Sequence, residues 1–162
     1  MSRSDQAKEA LQSFGSAISG RARLWLPKLC SASLAWSERD NHVGYLLAST
    51  QPEDDTGAIL PGMTLQLVIK RPIIVERCLY EFGLFQLDKG VRHRVYQLNV
   101  TPPEKRSHNG PLGLVYGPHE HVGDLVVPVT DPNIACGRPD VAFDHYCRRI
   151  SLTFSGTLNS PV

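Results

Sequence analysis

Three of the six histidines fall within fourteen residues, at His108, His119 and His121. An extended backbone turns alternate side chains to the same side, so His119 and His121 share a face and Glu120 takes the other. Two converging imidazoles serve two kinds of chemistry. In metal-free RNA cleavage, one takes the 2′-hydroxyl proton and another protonates the leaving oxygen, both at a pKa near neutrality. His119 and His121 fill those roles, or one of them does so with His108 folded back across its loop. In a metal site the pair supplies two nitrogens, and His108, Asp124, Cys136 or His145 a third. A structural role competes with both. Leu125, Val127 and Val129 have the parity of the histidines, so an unbroken strand turns the rings toward the core unless Gly123 resets the alternation.

Cleavage or binding of RNA also needs cations. Residues 68 to 106 carry eight Lys or Arg against four acids. Arg92, Arg94 and Arg106 are the expected phosphate contacts, with Tyr116 orienting the substrate and Tyr96 or Tyr116 stacking on a base. A solvated hairpin face protected by Lys and Arg is the plainer alternative. In the metal-free reading no cofactor is expected.

The elements that must hold these residues are legible in outline. The chain has 162 residues with a net charge of +1, enough for one domain, residues 1–162, with a core of its own. That charge balance excludes a histone-like tail or an acidic disordered activator. No apolar run reaches a membrane span, and residues 1 to 20 lack the apolar stretch of a secretory signal, so a cytoplasmic protein is expected. Cys30, Cys78, Cys136 and Cys147 are widely spaced with no CxxC pair, which predicts four free thiols.

Ala7, Ala10, Leu11, Phe14 and Ile18 have helical spacing, predicting an N-terminal helix within residues 1–20. Strand character follows at Ala22 to Leu26, Ser33 to Trp36, Gly44 to Ser49 and Thr64 to Lys70. Ile73 to Leu87 is too long for an unbroken strand and predicts a bend or bulge near Glu76 or Gly83. Asp88-Lys89-Gly90 is a turn, and Arg92 to Val100 the returning strand, with Arg94, Tyr96, Leu98 and Val100 on one face. Thr101 to Pro118 reads as an irregular loop, and His119 to Val129 as a further strand. Pro139 opens a helix, Ser151 to Phe154 is a last strand, and residues 155–162 are expected to form a flexible tail. The predicted fold is α+β, an antiparallel sheet flanked by an N-terminal and a C-terminal helix.

Residues from about 79 to 152 resemble an uncharacterised family of small bacterial and phage proteins. The resemblance rests on an ordered series: the strand Arg94-Val95-Tyr96-Gln97-Leu98-Asn99-Val100, then His108-Asn109-Gly110-Pro111, then Pro118-His119-Glu120-His121, then Phe143 through Cys147. These are similar to that family's strand, His-x-Asn-Pro turn, Pro-His-x-His strand and closing Phe-x-x-Tyr-Cys helix. Related signatures occur in proposed toxins of toxin–antitoxin pairs, which implies an RNA-directed activity. Gln97 and Asn99 stand where the family strand carries Arg and Asp, so the amides keep hydrogen bonds but lose the charges. The expectations are therefore a metal-independent ribonuclease or toxin-like module, a non-enzymatic phage or mobile-element binding protein that inhibits a host factor, or a His-x-His metal protein, with RNA or a protein partner (an antitoxin or host factor) as what it binds.

Overall fold

The computed structural model describes residues 20–40, 43–71, 75–110 and 113–159. The helix expected over residues 5 to 18 lies outside the described residues. In chain order the elements are α1 (Gly20–Trp25), β1 (Lys28–Cys30), β2 (Ser37–Glu38), β3 (Tyr45–Thr50), β4 (Met63–Lys70), a 3-10 turn (Val75–Arg77), β5 (Tyr80–Asp88) and β6 (Val91–Val100). Then follow β7 (Arg106–Gly110), β8 (Gly113–Tyr116), β9 (His119–Val122), β10 (Leu125–Pro128), α2 (Pro139–Arg149) and β11 (Leu152–Phe154). The architecture is α+β. A seven-stranded antiparallel sheet runs in the order β10-β9-β6-β5-β4-β3-β2, beside a β7–β8 hairpin and a parallel β1–β11 pair. Among the described residues no helix is long and apolar enough to cross a membrane.

One face of the sheet is the core. Leu65, Leu67 and Ile69 of β4, Phe82 and Leu84 of β5, and Tyr96, Leu98 and Val100 of β6 are all 2% exposed or less. Against them α2 presents Ala142, Phe143, Tyr146 and Cys147, whose spacing places them on one helical face. Phe143 and Tyr146 both meet Phe82 edge-on, with ring centroids 6.2 and 5.9 Å apart. Burial of each such aromatic contributes about 1.5–3 kcal/mol. The Tyr146 hydroxyl, removed from water, donates to the Gly83 carbonyl at 2.6 Å. Pro139 at the first turn and Asp140 beside it favour the start of α2, and Ser151, in the left-handed region at φ 59°, ends it.

Several expected elements take other forms. Ala22 to Leu26 belongs to a short helix and its end, because the apolar pair sits four residues apart and Leu26 N–H bonds the Ala22 carbonyl at 2.9 Å. Ser33 to Trp36 contributes only the isolated bridge of Leu34 to Leu158. Ile73 to Leu87 is divided by the 3-10 turn, and its irregularity lies between Leu84 and Phe85, next to Gly83. The loop expected from Thr101 to Pro118 contains the β7–β8 hairpin, hidden by its glycines and prolines. His119 to Val129 is a hairpin instead of a strand, reversing at Gly123-Asp124, where Gly123 takes φ 59° as the first turn residue. The expected tail is tied down as far as Asn159. Ser155 N–H bonds Cys30 O at 2.9 Å, Asn159 N–H bonds Leu34 O at 3.2 Å, and Trp36 Nε1 donates to Asn159 O at 2.8 Å.

The thiol expectation is also corrected. Cys78 and Cys136 form a disulfide, with Cα atoms 5.7 Å apart; Cys30 and Cys147 remain buried thiols. Burial pushes the Cys147 thiol up to about 12, which makes it chemically inert at neutral pH.

Candidate functional site

Strand β9 lies between β6 and β10, and it sets the histidines on one side as the alternation requires. The His119 and His121 ring centroids are 5.2 Å apart, with the planes at 70°. Across the ladder to β6, His119 is opposite Asn99 and His121 opposite Gln97; Gln97 Nε2 donates to Asn99 Oδ1 at 2.6 Å. His119 Nδ1 lies 2.9 Å from the Gly117 carbonyl. A carbonyl only accepts, so Nδ1 carries the proton and the tautomer is set. Both rings are withdrawn from water, at 0% and 3% exposure. A general acid or base must come within hydrogen-bond reach of the group it serves, and in this conformation no phosphodiester can approach these nitrogens. His108 is placed by its backbone in β7, in register with Val115 of β8, whose side chain is buried.

The cations expected at the same site are distributed differently. At Val95 one residue of β6 is unmatched: Tyr96 pairs with Leu84, but Arg94 pairs with Phe85. This bulge reverses the alternation. Arg94 therefore leaves the core face of Tyr96 and joins the outer face, together with Arg92, Phe85, Gln97 and Asn99. Arg92 Cζ lies over the Phe85 ring, 3.9 Å from its centroid, and the guanidinium also donates to Gln66 Oε1. Arg92 and Arg94 are exposed. Arg106 pairs with Tyr116 across the other hairpin, both of them exposed. Gln97, opposite His121, and Asn99, opposite His119, continue the outer face of β6 beyond the bulge from Arg94. Arg92 and Arg94 lie together on β6, and Arg106 and Tyr116 face each other across the β7–β8 hairpin. Tyr96, expected to stack on a base, is 0% exposed and serves the core.

On the core side of β9 is a cluster that sequence reading did not assemble. Glu120 Oε2 accepts from Tyr96 Oη, from Arg149 Nε at 2.8 Å and contacts His145 Nε2 at 3.3 Å. Arg149 also lies 5.9 Å above the Tyr96 ring. Burial alone would raise the Glu120 pKa, but hydrogen bonds from His145, Tyr96 and Arg149, with the Arg149 charge, outweigh it and hold the carboxyl at about 2. Its ordinary value is 4.5, so the unfolded chain binds a proton that the folded chain refuses between those pH values. The carboxylate's stabilisation is complete above about pH 4.5 and is lost as pH falls toward 2. Urea titrations between pH 6 and 2.5 should show this acid slope in the native protein and a shallower one in Glu120→Gln. Equal slopes would remove Glu120 as its source. Sequence alone had one clue, the spacing of His145 and Arg149 on one helix face; the partners come from three separate elements.

No family model, curated protein or solved structure matches this chain. The site must be read from its own geometry.

That geometry also bears on the third ligand of a metal site. Cys136 is committed to the disulfide, and His145 is bonded to Glu120 on the opposite side of β9 from the histidine pair. Among the described residues no three His, Cys, Asp or Glu side chains are grouped to hold a metal ion.

Proposed function

We propose that the protein binds single-stranded RNA on the outer face of its sheet without cleaving it. The observation that carries this reading is the Arg92–Phe85 stack, made available by the Val95 bulge. A guanidinium held over an aromatic ring can add cation–π contact to a stacked base and offer N–H groups to phosphate. Arg94 adds a second exposed cation on the same face. The closed histidine pair supports binding over catalysis.

The test is fluorescence anisotropy with labelled single-stranded RNA across a salt series. Affinity should fall as salt rises, and the double variant Arg92→Ala/Arg94→Ala should weaken binding at least about tenfold. It should also flatten the log–log salt slope by about 1.4, the value for two lost phosphate contacts on a single strand. Gly83→Ala tests the stack without altering charge, because its new Cβ would lie 2.6 Å from Phe85 Cε2 and displace the ring. The RNA should remain intact. Absence of binding at low salt overturns the proposal, and chelator-resistant cleavage abolished by His121→Ala restores the ribonuclease reading.

A protein partner is the competing reading, supported by the exposed apolar residues of an outermost strand of the sheet. Strand β10, the terminal strand of the sheet order beside β9, leaves Leu125 56% and Val127 43% exposed, and an outermost strand is a template for strand addition. Loss of partner binding in Val127→Lys, with RNA binding absent from the native protein, would favour it.

A further inference from the structure

Arg23, on α1, is 4% exposed, and its Nε has no hydrogen-bond partner. No carboxylate among the described residues lies within ion-pair distance of it; Asp88 acts on it from farther away. Burying a charge with neither an anion nor hydrogen-bond acceptors is costly. Here burial pulls the guanidinium's pKa down, and Asp88 only partly restores it. The side chain also lines a cavity of about 210 Å³ with Leu26, Leu60, Pro61, Met63 and Gln86. Leu26 and Met63 are each 2% exposed, so the walls are firmly packed and mostly apolar. Gln86 uses its Nε2 on Pro61 O at 3.0 Å and Leu87 O at 3.1 Å, leaving Arg23 as the cation among the lining residues.

We infer that this cavity binds a small aliphatic carboxylate, its oxygens paired with the Arg23 guanidinium and its chain lying along Leu26, Leu60 and Met63. A guanidinium matches a carboxylate with two parallel hydrogen bonds. Phosphate would bring more oxygens than these walls have donors to meet. At about 30 Å³ per water-sized group, the space holds roughly seven heavy atoms, the size of pentanoate. This site is separate from the Arg92–Phe85 face and does not depend on the RNA reading.

Calorimetric titration of the full chain with pentanoate, its neutral isostere pentanamide, and inorganic phosphate tests the assignment. Pentanoate should bind at least about tenfold more tightly than either, and Arg23→Met should abolish the preference over the amide. Asp88→Asn should tighten pentanoate about twofold or more by removing a competing negative charge, and it decides the matter if Arg23→Met fails to fold. No pentanoate binding, equal binding of the amide, or tighter binding of phosphate would overturn the inference. So would a preference that survives Arg23→Met, or an Asp88→Asn variant with unchanged or weaker pentanoate affinity.

Discussion

Lys28→Met should lower the stability of the protein by about 3 kcal/mol, or roughly 6–12 °C in Tm for a chain of this size. Lys28 is 0% exposed. Its Nζ donates to Leu24 O at 3.3 Å, Leu26 O at 2.8 Å and Ile150 O at 2.6 Å. Those carbonyls belong to the C-terminal ends of α1 and α2, where backbone acceptors lack helical partners and the dipole favours a cation. One side-chain nitrogen thus serves both helix ends, within hydrogen-bond distance of three carbonyls. Its own backbone N–H bonds Ser151 O at 2.9 Å, securing the corner after α2 from both sides. Methionine preserves the shape but orphans three carbonyls. Each costs about 1–3 kcal/mol, and the low end applies because methionine also relieves the burial of an amine. Burial pushes Lys28 down to about 7 from its ordinary 10.5, against the pull of the carbonyls. Between those values the unfolded chain holds a proton the folded chain lacks, so stability should rise with pH across that window. Denaturant titrations at pH 7 and 9.5 should find this rise in the native protein and not in Lys28→Met. A variant as stable as the native chain would show that the carbonyls find other donors.

Opening the Cys78–Cys136 bond should cost about as much or more. The bridge spans a sequence separation of 58, for which chain-entropy reasoning gives about 4 kcal/mol. It fixes the approach to α2: Gly137 N–H bonds the Tyr80 hydroxyl at 2.8 Å, and Pro139 begins the helix two residues later. The double variant Cys78→Ser/Cys136→Ser should melt well below the oxidised protein, and a reductant should lower the native Tm while leaving the variant unchanged. Alkylation followed by mass measurement should label two cysteines in the unfolded oxidised chain and four after reduction. Indifference of the native Tm to reductant would mean that the bond contributes nothing to stability. The cytoplasmic expectation and this bond pull in opposite directions, because cytosolic thiols are held reduced.

Local pattern carried a large part of the fold. Thr64 to Lys70 and Arg92 to Val100 were readable as strands from their apolar and β-branched content, and Asp88-Lys89-Gly90 as their neighbouring turn. Pro139 with Phe143, Tyr146 and Cys147 was readable as a helix. The shared side of His119 and His121, with Glu120 turned away, follows from alternation alone. What alternation cannot show is an interruption of itself. The unmatched residue at Val95 moved Arg92 and Arg94 to the other face, and the Gly123 turn took Leu125 and Val127 away from the histidines' side. Burial of the imidazoles depends on tertiary packing that alternation along one strand does not reveal. The Glu120 cluster, the Lys28–Ile150 bond and the disulfide join residues 24 to 122 positions apart, beyond the range of any local signal.

The parallel pairing of β1 with β11 has a consequence for how the molecule is made. Lys28, near the beginning of the described chain, is aligned with Leu152 near its end, and the ammonium reaches Ile150, 122 positions later. During vectorial synthesis this early segment has neither its ladder partner nor one of its three carbonyls until the chain through Leu152 has left the ribosome. The central antiparallel hairpins form from neighbours and can assemble first, whereas this closure joins distant parts and carries a greater loop-entropy cost. A nascent chain halted before Ile150 would therefore hold a buried-type lysine still in water, and residues 150–154 would act as the latch that commits the protein to its native state.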